Sequence, residues 1–428
     1  MQPSTSFCVL PWIHVFADER GIMWPCCRSV GSLMPNIHDE GGQPVRIDDP
    51  GGLAAAVNTR SMRELRLQML AGREPAACER CYMLERLGKR SHRQVENERC
   101  EQDIPVLVKD TAADGAVSTP IKTADIRLGN LCNLRCRMCS PQSSKALLPE
   151  WADKYQVPVD DPRLDVYRDM NWFERPGFWA SLEAQAPQLE RVNFAGGEPL
   201  LIPSMAEFLA AMVANGRAGH MTISYNTNLT VLPKRILELW PAFQAVRVTA
   251  SLDGLGAVND FIRYPSRWHV IDANLRQLDR EYQSLNLRGG LATNTAVQIY
   301  NVFSVCELLD YLADNFVRLE VPNLSIVTHP DHLSVQVLPS GLKQLASERL
   351  VAALERSAGR WRARWGARAD ELIASIRSIL DFMHEADRSE LLPRFLDWAS
   401  HQDAFRGQRT AETIVELAAL FTGAEPAR

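Results

Sequence analysis

Cys132, Cys136 and Cys139 stand on one short stretch with the spacing C-x3-C-x2-C. Three thiolates so placed can ligate three irons of a [4Fe–4S] cube. The missing fourth thiolate leaves one iron open to an exogenous chelate of nitrogen and oxygen, which the amino and carboxylate groups of S-adenosylmethionine (SAM) can supply. A zinc knuckle is the competing reading. Zinc, however, takes four ligands, usually from paired C-x2-C or C/H spacings, and no further Cys or His lies near these three.

Nine of the ten cysteines fall in the first 139 residues and one in the remaining 289. Core cysteines would scatter with the core, so this clustering points to ligation. Cys8, Cys26 and its neighbour Cys27, then Cys78 and Cys81, form a second group, with Gly21 between Cys8 and Cys26. A four-cysteine zinc site and an iron–sulfur site are both open to that group.

Positioning these side chains calls for a scaffold of strands and helices. From about residue 123, β-type runs at 124–128, 191–194, 221–225, 245–251, 296–302 and 319–327 alternate with helical patterns such as 205–215 and 232–239. That alternation predicts a parallel α/β sheet or partial barrel, whose active site lies at the C-terminal strand ends. Every motif named here starts at such an end. Residues 1–100 hold six cysteines and one clear amphipathic helix at 61–70, with Met62, Leu65 and Met69 on one face; 101–122 reads as a linker. The tail, 336–428, reads as helices, with amphipathic patterns at 347–358, 369–385 and 410–420.

Composition is that of a globular protein: 428 residues, 46% hydrophobic and 23% charged. A net charge of −5 argues against a general nucleic-acid or anionic-membrane surface. No apolar run approaches the roughly 20 residues of a membrane span. The N-terminal residues lack the basic start and long apolar stretch of a signal peptide, so a reducing cytoplasm is expected.

The cysteine loop, with Met138 in the hydrophobic place before the last thiol, resembles the radical SAM signature C-x3-C-x-hydrophobic-C. The resemblance covers about 123–330 and implies an α/β fold, a radical SAM (β/α)6 partial barrel over 123–335. It implies that Gly196, Gly197 and Glu198 hold the SAM amino group, that Asn226 and Asn228 contact its ribose, and that Ser251 and Arg263 hold its carboxylate. Residues 298–301 fall where adenine contacts are expected. Asp-Gly at 253–254 and Asn228 also suit plain turns. The N-terminal cysteines resemble a twitch domain, the truncated SPASM form, which carries one auxiliary [4Fe–4S] cluster; the ligands implied are Cys8, Cys26, Cys78 and Cys81. Twitch domains normally follow the barrel, whereas this region precedes it, and Cys27 leaves the second ligand ambiguous.

The expected activity is reductive cleavage of SAM to a 5′-deoxyadenosyl radical, hydrogen abstraction, and oxidation of a small-molecule substrate, with flavodoxin or ferredoxin as electron donor. Modification of a ribosomal peptide, epimerisation, and an iron–sulfur electron-transfer or redox-sensing protein are the rival readings. Asp253 is the candidate to touch substrate, and Cys306 or Cys100 to donate a hydrogen atom. His332, beside His329 after the last strand, is the candidate to bind substrate or move a proton.

Overall fold

The computed structural model describes residues 4–30, 36–86, 88 and 90–422. The ends of the expected 1–100 and 336–428 regions lie outside the described residues. The chain divides into two units.

The first unit comprises Met1–Leu131, Val166–Tyr225 and Glu238–Ala245. Its strands are β1 (His14–Ala17), β2 (Met23–Trp24), β3 (Thr123–Leu128), β4 (Arg191–Gly196) and β5 (Thr222–Thr227, which ends two residues into the second unit), in the order β2-β1-β3-β4-β5. β1, β3, β4 and β5 pair in parallel, and β2 pairs with β1 antiparallel. The pleat sends Ala124, Ile126 and Leu128 into the core, while Asp125 and Arg127 face the other side. β1 and β2 have no counterpart in the sequence reading. β1 is four residues long, too short for an alternation to stand out. The helix Arg60–Leu70 buries Met62, Leu65 and Met69, as its periodicity predicts, and Thr59 caps it by accepting from the Met62 amide.

The second unit comprises Cys132–Asp165, Asn226–Leu237 and Val246–Arg428. It holds nearly all of β6 (Ala245–Ser251), with β7 (Gly290–Val297) and β8 (Asn323–Ile326), in parallel and in that order. In β6, Val246, Val248 and Ala250 face the core and alternate with half-buried Arg247, Thr249 and Ser251. β7 begins and ends well before the expected 296–302. Beyond Val297 the chain turns around Asn301, whose carboxamide accepts from the Gln298 amide and donates to the Asp253 and Ala296 carbonyls. The apolar residues that suggested a strand there, Ile299, Tyr300 and Val302, are buried in that turn. β8 is shorter than 319–327 because Pro322 has no amide hydrogen to give a ladder.

The tail forms helices at Ser340–Trp365, Ala369–Glu385 and Leu392–Arg406. They bury Leu350, Trp361, Ile376, Met383, Phe395 and Ala399 in one apolar cluster with Val297 and Ile299. The expected helix at 410–420 is broken into Thr410–Thr413, a 3-10 turn at Val415–Leu417, and Ala418–Thr422. Among the described residues no helix is long and apolar enough to cross a membrane.

Candidate active site

The cysteine loop of the second unit is held by backbone and side chain. The Arg135 and Arg137 amides donate to the Tyr264 and Ile262 carbonyls at 2.6 and 2.8 Å. Ser144 Oγ donates to the Leu134 carbonyl. The Leu134 amide lies 3.4 Å from the Cys132 sulfur, and Asn228 Nδ2 lies 3.8 Å from it. Asn228 also donates to Asn133 Oδ1 and accepts from the Thr230 amide and hydroxyl. It is thus both an Asx turn and a brace for the loop. Asn226 is exposed at the end of β5.

Cys136 is buried, and Cys132 and Cys139 are half-buried. The Cys139 thiol donates to Cys136, which lowers the Cys136 pKa despite burial; Arg263 and Arg406 lower it further, while Asp253 opposes them. The Cys139 thiol is held well above its ordinary value, by that hydrogen bond and by burial.

Asp253 and Arg263 form a buried pair, with Nε 2.7 Å from Oδ2 at an angle that is not a hydrogen bond's. Asp253 Oδ1 accepts from the Ala296 amide at 2.7 Å. Burial raises the Asp253 pKa, opposed by Arg263. Arg263 therefore faces a carboxylate of this chain as well as the Cys136 and Cys139 thiols. Ser251 is half-buried at the C-terminal end of β6, in register with Asn294 of β7.

A cavity of about 510 Å³ borders Met138 and Cys139. Trp151, Tyr155 and Trp398 wall it, with His329 and His332 on its rim. His332 is 4% exposed, and neither ring nitrogen has a hydrogen-bond partner among the described residues. Burial first, then Arg394, lowers its pKa to about 4, so it is neutral at pH 7. Cys306, by contrast, is packed with Val305, Leu309 and Ala313 in the apolar cluster, where burial raises its pKa to about 12.

In the first unit, Gly196 and Gly197 are required by the chain's own backbone. Gly196 has φ +112°, and a Cβ there would come 2.7 Å from the Leu128 amide nitrogen. A Cβ on Gly197 would lie 2.2 Å from the Leu131 carbonyl oxygen. The Gly197 and Glu198 amides donate to the Gly129 and Leu131 carbonyls. These glycines thus fix the strand that leads into the cysteine loop. Glu198 is fully buried, and its Oε1 accepts from the Leu200 amide.

The N-terminal thiols of this unit sort themselves by their neighbours. Burial pushes the Cys8 thiol up, and Cys26, Cys78 and Cys81 add to the shift. Cys26 likewise responds to burial, Cys27, Cys78 and Cys81. Burial and Cys81 push Cys78 up to about 12. Cys27 is different: after burial, the groups acting on it are Asp125, Arg28 and Arg127. The sequence places Cys8 by pinning its segment: Asn97 donates to the Phe7 carbonyl and accepts from the Val9 amide, and Tyr82 donates to the Ser6 carbonyl. Ser29 donates to the Cys26 carbonyl. Cys78 and Cys81, three apart at the start of the helix Glu79–Arg86, share one face. Cys100, the C-cap of helix His92–Arg99, belongs to neither set. Among the described residues no three His, Cys, Asp or Glu side chains gather tightly enough to hold a single metal ion. Both cysteine groups are all-thiol, three in one and four in the other, the composition iron–sulfur ligation uses.

Residues 126–282 match the Radical SAM superfamily model. Over 135 residues the chain is 29% identical to GTP 3′,8-cyclase 1 of Mycobacterium tuberculosis, covering 31% of this chain and 32% of the relative. The chain thus spans about a third of the length of the curated relatives it matches. Among solved structures, Streptococcus suis SuiB bound to S-adenosylmethionine aligns at 12% identity over 83% of this chain and 69% of that one, with a TM-score of 0.35. Native anSMEcpe with bound AdoMet and Cp18Cys peptide aligns at 13% identity over 54% and 59%, with a TM-score of 0.33. By the match over 126–282, this chain carries a radical SAM superfamily domain.

Proposed function

We propose that this enzyme oxidises a small-molecule substrate. A [4Fe–4S] cluster held by Cys132, Cys136 and Cys139, when bound with SAM, supplies a 5′-deoxyadenosyl radical that abstracts a substrate hydrogen atom. Glu198 is the residue proposed to hold the SAM amino group, Ser251 and Arg263 its carboxylate, and Asn226 and Asn228 its ribose. The cavity beside Met138 and Cys139 supports a ligand sitting next to the loop. Residues 1–100 are proposed to act as a twitch-like region before a barrel at 123–335.

The observation that supports the oxidative reading is that Cys26, Cys78 and Cys81 all lie near enough to Cys8 to act on its thiol. They suit an auxiliary cluster able to accept the electron of a substrate radical. The radical loses one electron to that cluster and one proton, giving net removal of two hydrogens. Anaerobic turnover with a candidate substrate tests this: 5′-deoxyadenosine and oxidised product should form in equal amounts. An unoxidised product carrying one solvent deuterium would sink it.

Redox-neutral epimerisation is the second reading, and the placement of Cys27 favours it. This thiol is half-buried, and after burial Asp125, Arg28 and Arg127 act on it. Cys27 is half-buried, whereas Cys306 is enclosed by the core.

A further inference from the structure

The helix Leu392–Arg406 ends on a residue enclosed by the cysteine-loop region. The Arg406 side chain is 0% exposed and its partner Glu150 1%. Glu150 takes the Nε and Nη2 hydrogens at 2.9 and 2.8 Å. Nη1 is buried without a hydrogen-bond partner among the described residues. The guanidinium lies 5.5 Å from the centre of the Tyr264 ring, and Arg135 of the loop lies 4.8 Å from the same ring. The Tyr264 carbonyl receives the Arg135 amide. Arg406 is therefore joined to the cysteine loop through one shared residue.

Three ion pairs lie at or beside this loop, and only the Arg406–Glu150 pair is fully buried on both sides. Arg263 pairs with Asp253. Arg137, between Cys136 and Cys139, pairs with Asp403 and lies 3.6 Å from the Phe261 ring centre. Arg406 pairs with Glu150. Of the last pair, the cation is the member that lies over Tyr264, whose carbonyl receives the Arg135 amide of the loop. A full charge in a poorly solvated interior acts strongly on a neighbouring charged group. Net charge and hydrogen bonds around the sulfurs set the potential of an iron–sulfur cluster.

We propose that Arg406 is a positioning residue which, balanced by Glu150, sets the reduction potential of the cluster held by Cys132, Cys136 and Cys139. The C-terminal helices thereby tune the loop as well as cover it. The proposal rests on the cluster assignment above. Its test is an EPR-monitored potential titration of the reconstituted full chain, following the signal that changes on SAM addition. Glu150→Gln leaves the cation uncompensated and should raise the midpoint potential. Arg406→Gln leaves a buried carboxylate and should lower it. Arg406→Lys keeps the charge and should hold the potential near that of the unmodified protein. A merely structural pair would shift both neutral variants in the same direction, or neither, and that result overturns the proposal. So does a large shift in Arg406→Lys, which serves if a neutral variant fails to fold. An unmodified protein that takes up no SAM-responsive cluster overturns the underlying assignment instead.

Discussion

Asn228 Nδ2 donates to Asn133 Oδ1 over 2.9 Å and lies 3.8 Å from the sulfur of Cys132. One side chain after β5 therefore fixes the first turn of the cysteine loop. The same side chain accepts from Thr230 twice, so two local turns depend on it.

Replacing Asn228 with Ala should remove that brace and leave the Thr230 amide to find another acceptor. The cost should be about 1–2 kcal/mol, as expected for lost hydrogen bonds at a part-buried site. A urea titration of the apo protein measures it. An unchanged midpoint at unchanged slope would mean that Asn228 does not hold the loop.

Glu198 has two separable tasks. Its oxygen caps Leu200, and its charge is proposed to meet the SAM ammonium. Glu198→Gln keeps an oxygen for the cap and removes the charge. SAM binding should weaken by about ten- to a hundredfold, the worth of a hydrogen bond to a charged group of roughly 1.5–3 kcal/mol. Glu198→Ala should show that loss and also a lower melting temperature, since the cap goes too. Equal SAM affinity in Glu198→Gln and the unmodified protein, by equilibrium titration, would remove Glu198 from the SAM site.

His332 gives the fold a pH signature. Its folded pKa of about 4 lies below its ordinary value of 6.5. The unfolded chain therefore takes up the proton first, and acid favours unfolding. This group's contribution is complete above pH 6.5, declines as pH falls from 6.5 toward 4, and is flat below that. The decline should amount to about 2 kcal/mol, after a discount for solvent reaching the cavity rim. His332→Gln should flatten the stability curve between pH 6.5 and 4 relative to the parent. Parallel curves for the two proteins would show that the imidazole is not buried neutral.

The radical SAM domain match was legible in a few residues. The spacing of Cys132, Cys136 and Cys139 pointed to it, and the family match over 126–282 falls on that loop. The strand at Ala245–Ser251 was legible in full because Val246, Val248 and Ala250 alternate with more open neighbours. Beyond Val297 the sequence pattern misleads, because Ile299, Tyr300 and Val302 are apolar for burial in a turn and not in a strand. Only the three-dimensional neighbours of Asn301 reveal that turn. The pairing of β1 with β3 was invisible for a related reason. Its register joins His14–Ala17 to Thr123–Ile126 across more than a hundred residues, and no local pattern records such a partner. Arg406 and Glu150 were missed likewise, since each looks like a solvent-facing helix charge until the fold encloses both.

Cys26 and Cys27 are adjacent, and spacing alone cannot separate them. Their surroundings can. Cys26, Cys78 and Cys81 all act on Cys8, and Cys78 and Cys81 act on Cys26, whereas Cys27, after burial, answers first to Asp125 of β3. Arg127 is itself paired with Glu19 at 2.8 Å, and Asp125 accepts from Asn193 at 2.8 Å, so polar groups of this unit lie on the side of Cys27. If the four-thiol set holds a [4Fe–4S] cluster, the unmodified chain should take up about eight irons across two clusters. Cys26→Ala should then fall to about four, and Cys27→Ala should keep about eight. Iron and sulfide analysis after anaerobic reconstitution decides between them, with the 5′-deoxyadenosine yield as a check on the loop cluster. Loss of four irons in Cys27→Ala alone would reverse the ligand assignment. Retention of eight in both variants would detach this group of thiols from any cluster. The same Cys27→Ala protein also separates the two reaction readings. An oxidising enzyme should keep forming its product, whereas an epimerase that relies on this thiol should lose solvent-hydrogen incorporation while still cleaving SAM.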